Sequence, residues 1–391
     1  MQPDRTTKLV VVAWAAVMVA TLVHVLLRPP GWSLDLRVYR NGGAALLQDI
    51  PLYAEGFAKS LGGPDLPFTY PPIAAVLFSL LAIVPLGVAI FAVAVANLAM
   101  LTGLCLIAAH RVLGRGPEAV RWGLGAAAVS SIFDPLRETL WFGQINLLLG
   151  VLVMADCLLE RTRWWPRGAL IGLAAAIKLT PAFFALYFVA RRQWKPVFVS
   201  IGSFFFFVLL GFVISFADAK EYWTHALLDP SRVGRLTYAS NQALRGTLAR
   251  FGLENGAQVA VWLGLSLLVV GLVWWLAARR GLGDVEAFLV VALGGLLISP
   301  VSWGHHWIWI APALVLLARP ALRRLWASWV VVAVFAAGPH WLFPRDNDVE
   351  RDWNWWQQVV GNLYVITGVA VLVTLAVLAV RERRRTASAA G

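Results

Sequence analysis

The chain has 391 residues, 60% of them hydrophobic and 14% charged, with a net charge of +12. A soluble domain carries about 25% charged residues; here apolar runs of spanning or near-spanning length recur from end to end, which excludes one. They predict an all-α polytopic membrane protein, read as a single integral domain over 1–391. The positive charge does not point to nucleic acid, because Lys and Arg gather in short loops between apolar runs, the pattern that orients a membrane protein.

The first apolar run, 9–27, follows a basic start. A secretory apolar region is about 7–15 residues long and ends at a small-residue cleavage site. This one is longer and ends in Arg-Pro-Pro, so it reads as a retained first helix. The connection after it, about 28–71, contains "SLDLRVYRNG" and "LPFTYPP". Asp35 has the form of a helix N-cap, the reading a lone Asp favours; the functional reading is a general base near the membrane surface. Tyr70 precedes Pro71-Pro72, which forces an extended entry into the next segment or sets a rigid aromatic edge beside a ligand. Residues 72–84 are short for a span and bounded by prolines, so they read as partly embedded under this loop.

Further on, "DPLRETLWFGQINLLL" (134–149) places Asp134, Arg137, Glu138, Gln144 and Asn146 within thirteen residues. The segment "GALIGLAAAIKLTPAFFALYFVA" lies between two basic loops and so needs an even number of crossings. Two helices of about ten residues would reach ~15 Å, half the hydrocarbon thickness. The break falls at Lys178, at the tip of a buried hairpin. An ammonium there costs about 2.5–3.5 kcal/mol on insertion scales, and it suits a phosphate.

"YASNQALRG" (238–246) adds Asn241, Gln242 and Arg245. "SPVSWGHHWIW" adds Trp303, His305 and His306 at a helix mouth. Neighbours on a helix point about 100° apart, so the two His do not converge on one metal. With no Glu-x-x-His spacing and no cysteine cluster, neither a metal nor a cofactor is expected. Cys105 and Cys157 lie far apart inside apolar runs and form no disulfide framework.

The basic loops at 110–121, 160–167, 191–195, 278–281 and 319–324, with the tail 381–391, belong in the cytoplasm by the positive-inside rule. About twelve transmembrane helices result, with both termini inside and every polar motif outside.

In this order, "DLRVY", "PFTYPP", "DPLRETLWFGQINLLL", "AAIKLTP", "SNQALRG" and "SPVSWGHHWIW" resemble glycosyltransferase family 87 of the GT-C superfamily, from about Asp35 to Trp309. Ala243-Leu244 departs from the family pattern. The resemblance implies a GT-C-type bundle with an extracytoplasmic cavity in the cell membrane. It also implies a polyprenyl-phosphate-mannose donor, a glycolipid acceptor such as a phosphatidylinositol mannoside, and inversion with Asp35 as catalytic base.

With that chemistry, Lys178, Arg137 and Arg245 are expected to hold the donor phosphate. His305, His306, Tyr70, Gln144, Asn146, Asn241, Gln242 and Trp303 are expected to bind substrate. The protein is expected to act as a monomer among membrane lipids. A polyprenyl-phosphate-arabinose donor is the alternative within this chemistry. A lipid or sugar transporter is the alternative outside it, although the chain shows no paired halves with broken helices of the transporter kind.

Overall fold

The computed structural model of the protein describes residues 4–57, 61–159 and 164–388. Part of the expected basic loop at 160–167, including Arg161 and Arg163, lies outside them, as does the end of the tail. Among the described residues the regular structure is helical, apart from an isolated bridge between Asn241 and Trp303.

Helix α1 (Arg5–Leu26) starts at Asp4, whose carboxylate accepts the Thr7 N–H at 2.7 Å as an N-cap should. Helix α2 (Leu34–Leu47) buries Leu36, Val38 and Tyr39 and lies along α3 (Pro72–Ala82). Arg40 of α2 donates to the carbonyls of Leu81 and Val84. The far end of the proline-bounded segment therefore stays beside the first loop, as expected of a segment packed under it.

Helices α4 (Leu86–Leu113) and α5 (Pro117–Ser130) pack as neighbours. Next, α6 (Asp134–Phe142) bends by 117° into α7 (Asn146–Leu158). Gly143 makes the corner in the left-handed conformation (φ 69°), which glycine adopts without strain.

Helix α8 (Ala169–Ile177) stops at Lys178, whose backbone is extended, and the chain resumes through a 3-10 turn into α9 (Ala185–Ala190). The start of α8 is bonded to the end of α7, because Asp156 accepts the N–H groups of Gly168 and Ile171 at 2.8 and 2.9 Å. Its far end meets the start of α7, where Lys178 Nζ lies 3.4 Å from Asn146 Oδ1. The Arg167 guanidinium sits 5.2 Å over the Phe188 ring. The two ends thus return to one place, and Lys178 is the hairpin tip.

Helix α10 (Trp194–Ile214) packs on α8 and turns Phe205, Phe206 and Leu209 outward. After it come α11 (Leu244–Arg250), α12 (Asn255–Ala277), α13 (Asp284–Ile298) and the short α14 (Ile310–Leu314). The series closes with α15 (Trp326–Ala337) and α16 (Leu363–Ser388).

Among the described residues five helices are long and apolar enough to cross a membrane, six with the bent α6–α7 pair. The expectation of about twelve is not met by length alone. Helices such as α13, at 15 residues, are buried against other helices and need not match the lipid thickness by themselves.

Contacts sort the loops into two groups. Asp4 pairs with Arg121, Arg111 and Arg191 both reach Asp284, Arg279 pairs with Glu382, and Arg319 with Glu286. These join loops read as cytoplasmic. In the other group Leu52 donates to Asp218, Thr237 to Asp348, Arg235 pairs with Asp346 and Arg351 with Glu254.

Candidate functional site

The site forms where α2, the α6–α7 corner, the tip at Lys178 and the loop before α14 meet. Tyr39 and Asp35 lie four residues apart on α2 and so share one face. The Tyr39 hydroxyl donates to Gln144 Oε1 at 2.7 Å and lies 3.0 Å from the Tyr70 hydroxyl. Gln144 Nε2 lies 3.2 Å from His305 Nε2. Because Oε1 of this amide takes the Tyr39 proton, Nε2 must donate, and His305 accepts through Nε2. The proton of the neutral ring then belongs on Nδ1, which faces Glu138 Oε2 at 3.7 Å. Burial holds His305 neutral, with its pKa lowered to about 4.

His306 turns the other way. Its Nε2 lies 3.3 Å from Lys178 Nζ, and the His305 and His306 rings meet edge to face at 4.9 Å. The Lys178 ammonium also stands 5.4 Å over the Tyr70 ring. Asp35 completes the group. Ser33, not Asp35, occupies the N-cap of α2, so Asp35 stands second in the helix with its carboxylate free of that duty. It lies in the field of His305 and Lys178 and beside Gln144, while burial raises its pKa. Asp35, Lys178 and His306 keep partial exposure, while Tyr70, Gln144, Asn146 and His305 are buried. A narrow cleft with about 70 Å³ of free space leads away from Lys178 and His306 between Leu149, Val153, Phe184 and Leu296.

Of the expected residues, Asp35, Tyr70, Gln144, Asn146, Lys178, His305 and His306 come together. Others do not join them. Arg245 donates to Gln258 and lies 5.1 Å over Trp262, on the α11–α12 pair. Arg137 pairs with Asp134 at 2.9 Å and faces Trp141. Asn241 and Gln242 are fully buried braces: Asn241 Oδ1 accepts the Ser302 N–H, and Gln242 Nε2 donates to the carbonyls of Ala239 and Gly361. Trp303 packs edge to face on Tyr238.

Behind these braces lies Arg250, also fully buried, which donates to the carbonyls of Thr237, Tyr238 and Asn241 and to Asn362. It holds the loop that in turn holds His305 and His306. Sequence reading passed over Arg250, Tyr39 and His340. The i, i+4 spacing from Asp35 was the signal available for Tyr39.

One set of side chains, Asp134, Glu138 and His340, has the composition of cation ligands, with donor atoms within 4.8 Å of one another. Asp134 is already engaged: it accepts from Arg137, Trp341 and Tyr364 at 2.9, 3.1 and 2.9 Å. Its charge is met by hydrogen bonds and a guanidinium, which leaves Glu138 to face His305.

The chain is 37% identical to a polyprenol-phosphate-mannose-dependent alpha-(1-2)-phosphatidylinositol mannoside mannosyltransferase of Mycolicibacterium smegmatis, over 93% of this chain and 89% of that one. A protein of the same description from Mycobacterium tuberculosis is also 37% identical, over 88% and 84%. A phosphatidylinositol pentamannoside mannosyltransferase of M. smegmatis is 34% identical, over 91% and 88%. No solved structure matches the chain. The pattern of glycosyltransferase family 87 matches residues 68–300. With the family pattern matching more than half of the chain, and relatives 37% identical over 93% and 88% of it, this membrane protein belongs to glycosyltransferase family 87.

Proposed function

We propose that the chain transfers mannose from a polyprenyl-phosphate-mannose donor to a hydroxyl of a phosphatidylinositol mannoside, with inversion at the sugar carbon. The observation that carries this reading is the meeting of a carboxylate, Asp35, with a cation, Lys178, across a small polar cluster that opens into an apolar cleft.

Transfer of a glycosyl group passes through an oxocarbenium-like state. A base must take the acceptor proton as the new carbon–oxygen bond forms, and a cation must stabilise the negative charge on the phosphate oxygen, which keeps the electron pair of the breaking carbon–oxygen bond. Asp35 is partly exposed and not used as a cap, so it can meet the acceptor hydroxyl. Lys178, steadied by Asn146 and His306, faces the departing phosphate, which leaves as polyprenyl phosphate. The cleft past Phe184 and Leu296 suits an isoprenoid chain. A single displacement with base and leaving group on opposite sides of the sugar inverts its configuration. His305, fixed through Gln144 and facing Glu138, presents a neutral ring to the sugar.

The two groups of loops support an extracytoplasmic site in the cell membrane. If the basic group is cytoplasmic, α1, α4, α5, α7, α10, α12, α13, the α14 segment, α15 and α16 cross in alternating directions. The two hairpin helices around Lys178 bring the helices within the bilayer to about twelve.

The test is to incubate the purified protein with polyprenyl-phosphate-mannose or polyprenyl-phosphate-arabinose and phosphatidylinositol mannosides of increasing size, then follow products by mass spectrometry. The expected result is addition of one hexose from the mannose donor. Transfer from the arabinose donor alone, or from neither, would overturn the reading.

A further inference from the structure

Outside the cluster around Asp35, two guanidinium groups converge on one indole. Arg28 lies two residues beyond the end of α1, and its guanidinium carbon lies 3.5 Å from the centroid of Trp141 and 4.7 Å from that of Trp32. Arg137, one helical turn before Trp141 on α6, lies 5.0 Å from the same ring. The Nε atoms of both arginines have no hydrogen-bond partner. Arg28 Nη2 approaches His24 Nε2 at 3.3 Å, and Arg137 uses Nη2 on Asp134 at 2.9 Å. Each cation stands in the field of the other. Asp134 offsets Arg137, whereas Arg28 pairs with no carboxylate among the described residues, so an anion beside Arg28 would relieve the repulsion between the two cations.

Position narrows the anion. Val23, Leu26 and Leu27, just before Arg28, are exposed apolar residues at the end of a lipid-facing helix. Trp32 is 47% exposed, and aromatic rings of this kind sit at headgroup level. Charge narrows it further. Arg137 is already offset by Asp134 and lies in the field of Glu138, so Arg28 supplies the one unpaired charge, which matches a singly charged phosphodiester better than a doubly charged phosphate monoester. Arg28 and Asp35 are seven residues apart, at most about 25 Å even if that stretch were fully extended. A glycolipid anchored at one can therefore present a sugar to the other.

We propose that Arg28 and Arg137, on the Trp32–Trp141 platform, hold the phosphodiester of an inositol phospholipid and so seat the lipid end of the acceptor. The inference rests on the acceptor reading given above, and it moves Arg137 from the donor phosphate to the acceptor. The clamp would select acceptors by their headgroup charge, whichever sugar is transferred.

The full-length protein in detergent should bind dioctanoyl phosphatidylinositol more tightly than dioctanoyl phosphatidylcholine in calorimetric titrations. Arg28→Gln should weaken phosphatidylinositol binding by roughly tenfold or more, the range of a charge-assisted hydrogen bond. Arg28→Lys should lose less, and Arg137→Gln should resemble Arg28→Gln, with thermal unfolding confirming that each variant is folded. Equal affinity for the two lipids, or unchanged affinity in both Gln variants, overturns the clamp. Displacement of the lipid by millimolar inorganic phosphate overturns the phosphodiester assignment. No donor is present, so the result is independent of mannosyl transfer. A failed clamp leaves the transfer reading standing, and absent transfer leaves the binding result to stand by itself.

Discussion

Asp35 stands second in α2, behind Ser33, with Gln144, His305 and Lys178 before it. Asn at this position keeps the size and the hydrogen-bonding capacity and loses only the carboxylate. Asp35→Asn should therefore fold and bind donor normally while transfer falls by about 10²–10⁴, the usual contribution of a general base. Single-turnover rates beside donor titrations separate the two effects, and near-normal turnover in the variant would remove Asp35 as the base. Lys178 is the opposite case, a cation whose cost at the hairpin tip needs a return. Lys178→Met should weaken donor binding about tenfold or more and leave acceptor binding nearly unchanged. Lys178→Arg should restore only part of it, because a planar guanidinium does not reproduce a compact ammonium between Asn146 and His306. Donor affinity equal to wild type in the Met variant would reduce Lys178 to a structural residue.

At the scale of elements, the hairpin depends on a close helix contact. A Cβ added at Gly172 of α8 would lie 2.5 Å from the Ser200 carbonyl oxygen and 2.7 Å from the Phe204 amide of α10. Backbone cannot yield as a flexible side chain would, so α8 must shift, and Lys178 with it. Gly172→Leu should cost about 1–3 kcal/mol, as overpacking does, lowering the unfolding temperature and also donor affinity. An unchanged unfolding temperature would show that α8 and α10 do not approach so closely. The break at Lys178 and the proline-bounded α3 were both legible from length and punctuation. The bend between α6 and α7 was not, because a glycine after a short helix permits a corner without stating its angle.

For the whole molecule, the division of loops predicts labelling from one side. Cysteine at exposed Asn347 should react with an impermeant thiol reagent on intact cells, and cysteine at exposed Ala321 should react only after lysis. The native Cys105 and Cys157 are buried and should stay silent. The reverse pattern would turn the site toward the cytoplasm and exclude an outward-facing transferase.

Membrane class, the packing of α3 against the first loop, the break at Lys178 and the motifs that supply the candidate site were all readable in one dimension. Apolar length, charge placement and proline are local properties, and the motifs sit in single short stretches. Which motif residues touch one another is a different matter. Tyr39 and Gln144 are separated by 105 residues, Lys178 and His306 by 128, and Gln144 and His305 by 161. Asn241, Gln242 and Arg245 had the right chemistry for a ligand site, yet packing turned two into braces and one toward Trp262. A polar side chain near a helix end can face a ligand or a neighbouring backbone at similar local cost. Only the three-dimensional satisfaction of buried donors and acceptors decides between them.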